Sequence, residues 1–287
     1  MSPTLVRHQL PHSGSIRCDD PPVPDRSRRT RDWAEIQERM LLPLYEAAYD
    51  RLGIGPGTRL LGLGCGSGLA LLLAAARGAQ VSGVDADESR LALARERLTS
   101  EGGPEHTRLV SGGLEAAAPG DAAFNVVTAF HPVGCVSTVE GLTASLTAAA
   151  GLAERGSAVV LGGWGPVERC ATAGVLGVAQ RLADPRGDCA VGSAGRWPSG
   201  RDDLEELADR AGLRPDGSGR VACPFGYADP ASAVRGLLST GLFDAALEVT
   251  EERQVEKELA EALHPYQRAD GTVWMPNVFR YLIARTR

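Results

Sequence analysis

The residues with the clearest chemical purpose lie in the stretch Thr58-Arg59-Leu60-Leu61-Gly62-Leu63-Gly64-Cys65-Gly66-Ser67-Gly68, which passes from an apolar strand pattern directly into an apolar helical pattern. Gly64, Gly66 and Gly68 therefore fall at the carboxyl end of a strand, where a turn without Cβ atoms lets a ligand approach the bare backbone. The following strand pattern, Val81-Ser82-Gly83-Val84, ends in Asp85, and a carboxylate placed there accepts both hydroxyls of a ribose. Loop and acid together point to a cofactor that contains a nucleoside.

A second group of candidates lies along the carboxyl edge that such a sheet would present. His131 directly follows a strand pattern in Phe130-His131-Pro132, and its ring titrates near neutral pH, so it is the candidate general base; its plainer role is to cap loop backbone groups. Cys135 in the same loop has no activating neighbour and reads as an inert thiol. Trp33 and Tyr45 at helical spacing, and Trp164 beside glycines, are candidate walls of an aromatic acceptor pocket, with core packing as the alternative for Trp33. His264 before Pro265 fits a helix-end cap. His8, His12 and His106 show no ligand spacing with any cysteine or acid, so no metal site is expected.

Positioning these residues requires a scaffold, and the patterning supplies one. Strand patterns at 59–63, 80–84, 107–110, 124–129 and 158–162 alternate with helical patterns from 69, at 87–98 and at 138–153. Ahead of them, Trp33, Ile36, Met40, Leu41, Leu44, Tyr45 and Ala48 recur at helical spacing, with a break implied at Pro43. Beyond Trp164 the expectation is helix over 166–182, a glycine- and proline-bearing stretch, a short helix ending near Gly212, a strand at 220–227, mostly helix over 229–263 and a final strand at 272–284. The acidic residues of the late helix, Glu248 to Glu261, read as a solvated face beside an apolar stripe.

The expected class is thus α/β: a doubly wound, Rossmann-like sheet, mostly parallel with an antiparallel last strand, with N-terminal helices and a helical cover inserted in the second half. Residues 1–30, rich in proline and without periodicity, read as a mobile arm, and 31–287 as one domain with cover segments around 166–212 and 229–263.

Composition narrows the function. At 287 residues, 43% hydrophobic and 23% charged, the chain suits a globular domain with a sizeable core. A net charge of -6 provides no basic face for a nucleic acid. All basic residues except Lys257 are arginines, so no lysine serves a phosphate-binding loop and a Schiff-base cofactor is disfavoured. The six cysteines are widely spaced with no CxxC pair, which fits reduced thiols and a cytoplasmic location. The uncharged run 60–76 is broken by glycines in a turn pattern, so no membrane span is expected. Monomer and homodimer both remain open.

Two nucleoside cofactors fit the loop, NAD(P) and S-adenosylmethionine. A dinucleotide loop has the spelling G-x-G-x-x-G, whereas this one reads G-x-G-x-G. The segment Leu61 to Ala70 resembles motif I of class I S-adenosylmethionine-dependent methyltransferases, usually hLDhGCGxG. The resemblance extends to Asp32-Trp33-Ala34-Glu35-Ile36-Gln37-Glu38, Pro43-Leu44-Tyr45, Phe124 to Phe130, Gly163-Trp164-Gly165-Pro166, and Tyr266 to Gly271 leading to Phe279-Arg280-Tyr281, which are similar to a bacterial subgroup acting on small molecules. It implies that Gly62 and the backbone around Gly64, Cys65 and Gly66 lie against the methionyl part, that Asp85 binds the ribose and that Ala86 flanks the adenine. Gly113 and Leu114 would meet the adenine edge, and Phe130 would face the methionyl group and acceptor.

The chain departs from the family pattern where three acids are expected near the cofactor: at Gly62 before the loop, at Gly113 by the adenine, and at Asn125, where Phe-Asp is common. The resemblance implies methyl transfer to oxygen, nitrogen or carbon of a small, aromatic or polyketide-like metabolite, in secondary metabolism such as antibiotic biosynthesis, with S-adenosylhomocysteine as product. The missing acids motivate a rival, a bound cofactor used structurally while the pocket promotes a cyclisation or rearrangement; a third reading is a non-catalytic binding subunit.

Overall fold

Strand β1 (Arg59–Leu63) buries Leu60, Leu61 and Leu63 without alternation, a pattern that suits a strand covered on both faces. The computed structural model, which describes residues 26–100, 107–117, 123–130, 139–183 and 202–287, places β1 near the middle of a seven-stranded sheet. The other strands in chain order are β2 (Gln80–Asp85), β3 (Thr107–Ser111), β4 (Phe124–Phe130), β5 (Ala153–Trp164), β6 (Arg214–Ala222), β7 (Phe225–Tyr227), β8 (Val273–Met275) and β9 (Val278–Arg285). The sheet order is β3-β2-β1-β4-β5-β9-β6, while β7 and β8 form a separate pair. Strands β1 to β5 pair in parallel and β9 runs antiparallel to both neighbours, as expected for the last strand. Strand order reverses between β1 and β4, and in such sheets the crevice beyond the carboxyl ends at that point receives the ligand.

The leading segment consists of α1 (Arg26–Asp32), a π-helical turn (Trp33–Gln37), a 3-10 turn (Glu38–Leu41) and α2 (Leu42–Leu52). The break expected at Pro43 is the start of α2, where a proline costs no hydrogen bond, and Gly53 ends that helix at a φ of 64°. The expected arm boundary moves: Arg26 to Thr30 are helical, Thr30 is buried and Arg29 pairs with Asp244. Residues 1–25 lie outside the described residues.

Helices α3 (Leu69–Ala76) and α4 (Glu88–Ser100) bury Leu71, Ala74, Leu91 and Leu98 against β1, β2 and β4. On the opposite face, α5 (Val139–Gly151) and α7 (Asp203–Arg210) pack Leu146, Ala149, Leu204 and Leu207 beside Leu282 and Ala284 of β9. Helix α7 therefore flanks the sheet instead of covering its edge as expected, because its apolar stripe meets β9 and Glu205 pairs with the buried Arg280. The cover is built by α6 (Thr172–Ala183), α8 (Pro230–Leu238), α9 (Asp244–Val249) and α10 (Glu252–Leu263), whose Val175, Leu237, Phe243, Val255 and Leu259 share a core with Trp164, Phe225 and Phe279. Two expected strands are each divided by proline: Pro224 separates β6 from β7, and Pro276 separates β8 from β9.

Candidate active site

The glycine turn between β1 and α3 is held by the neighbouring strand. Cys65 N–H donates to Val84 O at 3.0 Å and Gly68 N–H to Cys65 O at 3.0 Å. Gly66 and Gly68 take φ of 58° and 84°, in the left-handed region that favours glycine. A Cβ on Gly68 would meet Ala94 Cβ at 2.8 Å, so this glycine also allows α3 and α4 to approach closely. Asp85 ends β2 and ties the turn: its Oδ2 accepts from Gly66 N–H at 2.8 Å and its Oδ1 from Asp87 N–H at 2.9 Å. A carboxylate oxygen has two lone pairs, so each Asp85 oxygen keeps an acceptor position.

A cleft of about 600 Å³ opens over this turn. It brings together Gly62, Gly64, Cys65 and Gly66 of the loop, Asp85 and Ala86 at the end of β2, and Gly113 and Leu114 after β3. Phe130 at the end of β4 lines it too, with Trp33 and Tyr45 from the leading segment. The α8–α9 junction, with Ser239, Thr240 and Gly241, reaches the same space. His131 and Cys135 lie outside the described residues.

Trp164 does not reach the cleft. It is 4% exposed, its ring lies 4.4 Å from Phe279 and 5.8 Å from Phe225, and it belongs to the core beneath the cover helices. The expected pocket wall is a core residue because β5 runs on to Trp164 in register with Phe279 of β9.

Tyr45 and Phe130 form the aromatic part of the cleft, with ring centroids 4.8 Å apart. Burial pushes the Tyr45 phenol well above its usual value, and the Glu38 charge adds to this, so Tyr45 offers a neutral hydroxyl and not a base. Burial likewise raises the Cys65 thiol, with Asp85 and Glu38 contributing, which keeps it protonated and a poor nucleophile.

Glu38 lies in a segment that carries the family resemblance but is given no site role by the sequence, yet it joins the leading segment to the glycine turn. It is 2% exposed and its Oε2 accepts from Ser67 Oγ at 2.5 Å and Arg97 Nη1 at 2.8 Å. Its Oε1 accepts from Leu69 N–H at 3.4 Å. Arg97 completes the link by donating to Ser67 O at 3.0 Å and Ala34 O at 2.8 Å. Burial raises the Glu38 carboxyl above its ordinary value, against the lowering effect of Ser67 and Arg97. The spacing of a residue on the leading turn to a residue on α4 is set by the tertiary fold, so no local motif reports it.

The departures from the family pattern also have a structural explanation. Beside Gly62 the space is filled, since a Cβ there would lie 2.9 Å from Leu71 Cδ2. Asn125 stands at the amino end of β4, away from the crevice, where its Oδ1 accepts from Arg59 N–H at 2.8 Å and its Nδ2 donates to Gly57 O at 3.0 Å. It is therefore not a position beside the cofactor, contrary to the expectation from the sequence.

The family described as a methyltransferase domain matches residues 60–156, the segment from β1 into β5 that contains the loop, Asp85 and Phe130. That segment, about a third of the chain, is similar to a methyltransferase domain. No curated protein matches the sequence. Among solved structures, the chain is similar to an S-adenosylmethionine-dependent methyltransferase from Geobacter sulfurreducens in complex with S-adenosylhomocysteine, at 18% identity and a TM-score of 0.53, covering 92% of this chain and 99% of that one. It is also similar to YjhP from E. coli, at 22% identity and a TM-score of 0.53 over 91% and 100% of the two chains. The 4+2 cyclase SpnF is a further relative in fold, at 16% identity and a TM-score of 0.50 over 85% and 80%.

A methyltransferase domain on this sheet takes S-adenosylmethionine as methyl donor, and the residues present fit it. Asp85 offers acceptor positions at the strand end, and Gly66, at a φ of 58°, holds the left-handed turn of the cradle that other residues rarely adopt. Trp33 Nε1, buried beside Gly66, has no hydrogen-bond partner among the described residues. Such a donor suits an anionic ligand group.

Proposed function

We propose that this chain moves the methyl group of S-adenosylmethionine to oxygen, nitrogen or carbon of a small, aromatic or polyketide-like metabolite, in secondary metabolism. The reading is carried by one juxtaposition: the Asp85-braced glycine turn and the Tyr45–Phe130 pair line one cleft. The cofactor supplies a methyl group already activated by its sulfonium, so the protein's task is alignment in a dry, shaped pocket. Asp85 and the turn hold the nucleoside and methionyl ends; Tyr45, Phe130 and Leu142 exclude water from the acceptor side, and the Ser145 and Thr240 hydroxyls, whose protons go to Gly141 O and Leu237 O, keep acceptor positions on their oxygens to orient it.

His131 follows Phe130 in the chain, and in this reading it takes the proton of a hydroxyl or acidic carbon acceptor. The free thiols of Cys65, Cys170 and Cys223 fit a reducing, cytoplasmic setting.

Incubation with methyl-labelled S-adenosylmethionine and a panel of hydroxylated aromatic and polyketide metabolites tests the proposal. Transfer of label to at least one acceptor, with a His131→Asn variant losing the neutral limb of the pH–rate profile, is expected. Cofactor binding without transfer to any acceptor class argues for a non-methylating use of the same cleft.

A further inference from the structure

Glu38 Oε1 and Trp33 Nε1 each lie 3.5 Å from the point that a Cβ on Gly66 would occupy, and all three residues line the cleft. The two atoms differ in what they lack. Trp33 is 5% exposed and its indole N–H, a donor only, has no acceptor among the described residues. Glu38 uses Oε2 on Ser67 and Arg97, while Oε1 has Leu69 N–H at 3.4 Å, near the limit of a hydrogen bond. A buried carboxylate seeks a further cation or donor, and a buried N–H seeks an acceptor.

A donor and an anionic acceptor sharing one point over the glycine turn match a zwitterionic α-amino acid. The loop has no acid of its own to offer, because Leu71 fills the space beside Gly62. Of the other carboxylates of the cleft, Asp85 braces Gly66 and Asp87 and is assigned to the nucleoside, Asp87 accepts from Ser89 and Arg90 N–H, and Asp244 pairs with Arg29.

We propose that Glu38 and Trp33 bind the amino-acid end of the cofactor, Glu38 accepting from its α-ammonium and Trp33 Nε1 donating to its α-carboxylate. The inference rests on S-adenosylmethionine as cofactor and goes beyond it, by moving the loop's missing acid to the leading turn.

Calorimetric titration with S-adenosylhomocysteine, its deaminated analogue and its decarboxylated analogue separates recognition from scaffolding. Glu38→Gln weakens S-adenosylhomocysteine by about tenfold or more, as expected for a charge-assisted hydrogen bond, and leaves the deaminated analogue within about twofold of wild type. Trp33→Phe weakens S-adenosylhomocysteine by about fivefold and leaves the decarboxylated analogue unchanged. Equal losses for all ligands overturn the proposal, because they mean that the residues only hold the turn in shape. If Glu38→Gln does not fold, Trp33→Phe alone decides the matter in the same terms. Failure of wild type to bind any of the three ligands overturns the cofactor assignment, and the proposal with it.

Discussion

Leu71 of α3 occupies the space that a side chain at Gly62 of β1 would need: a Cβ there would lie 2.9 Å from Leu71 Cδ2. The same leucine closes on Gly83 of β2, where a Cβ would lie 2.6 Å from its Cδ1. One apolar side chain, 1% exposed, thus closes the floor of the loop beside both glycines. Gly62→Ala should therefore destabilise the fold by about 1–3 kcal/mol through overpacking. Combined with Leu71→Ala it should cost less than the sum of the two single changes, since the second change opens the space that the first requires. Urea unfolding of the three variants measures this, and strict additivity would show that Leu71 does not set the fit.

Asn125 uses both ends of its amide, accepting from Arg59 N–H and donating to Gly57 O. A carboxylate can accept but cannot donate, so Asn125→Asp should cost about 1 kcal/mol of stability. Because the residue sits at the amino end of β4, S-adenosylhomocysteine affinity should not change. A large change in affinity would place the residue's influence in the crevice after all.

Glu38 makes stability depend on pH. Its carboxyl titrates near 4.5 in the unfolded chain and above that value in the fold, where burial outweighs Ser67 and Arg97. Between those two values the folded protein holds more protons than the unfolded one, so this group's contribution falls as pH rises. The unfolding free energy of wild type relative to Glu38→Gln should decline from pH 4.5 upward and then level off. A relative gain with rising pH would mean that Arg97 and Ser67 outweigh burial.

What the sequence revealed follows from how local each signal is. The glycine turn, Asp85 and the end of β4 are legible because strand, turn and helix follow one another within a few residues, and parallel strands place their carboxyl ends together. Strand β6 was only partly legible, since Pro215, Gly217 and Gly219 resemble a turn; the structure uses them in an edge strand paired on one side only, with its register shifting at Pro215. The glycines around Trp164 suggest a pocket mouth, whereas its ring packs against Phe225 and Phe279 in the core. The role of Glu38 is not legible in the sequence, because its partners Ser67 and Arg97 come from two later elements and no spacing along the chain encodes that meeting. The family pattern points to Asn125 as a position near the cofactor, but β4 runs from Phe124 to Phe130 and so leaves this residue at the amino edge of the sheet.

The central claim is that the Asp85-braced turn binds the adenosyl cofactor. Calorimetric titration of the whole chain with S-adenosylhomocysteine, beside Asp85→Ala, tests it most directly. The expected result is saturable one-site binding to wild type, weakened by about a hundredfold or more in the variant, since the change removes both the acceptor oxygens and the brace on Gly66. Undiminished binding by Asp85→Ala, or none by wild type, would contradict the account.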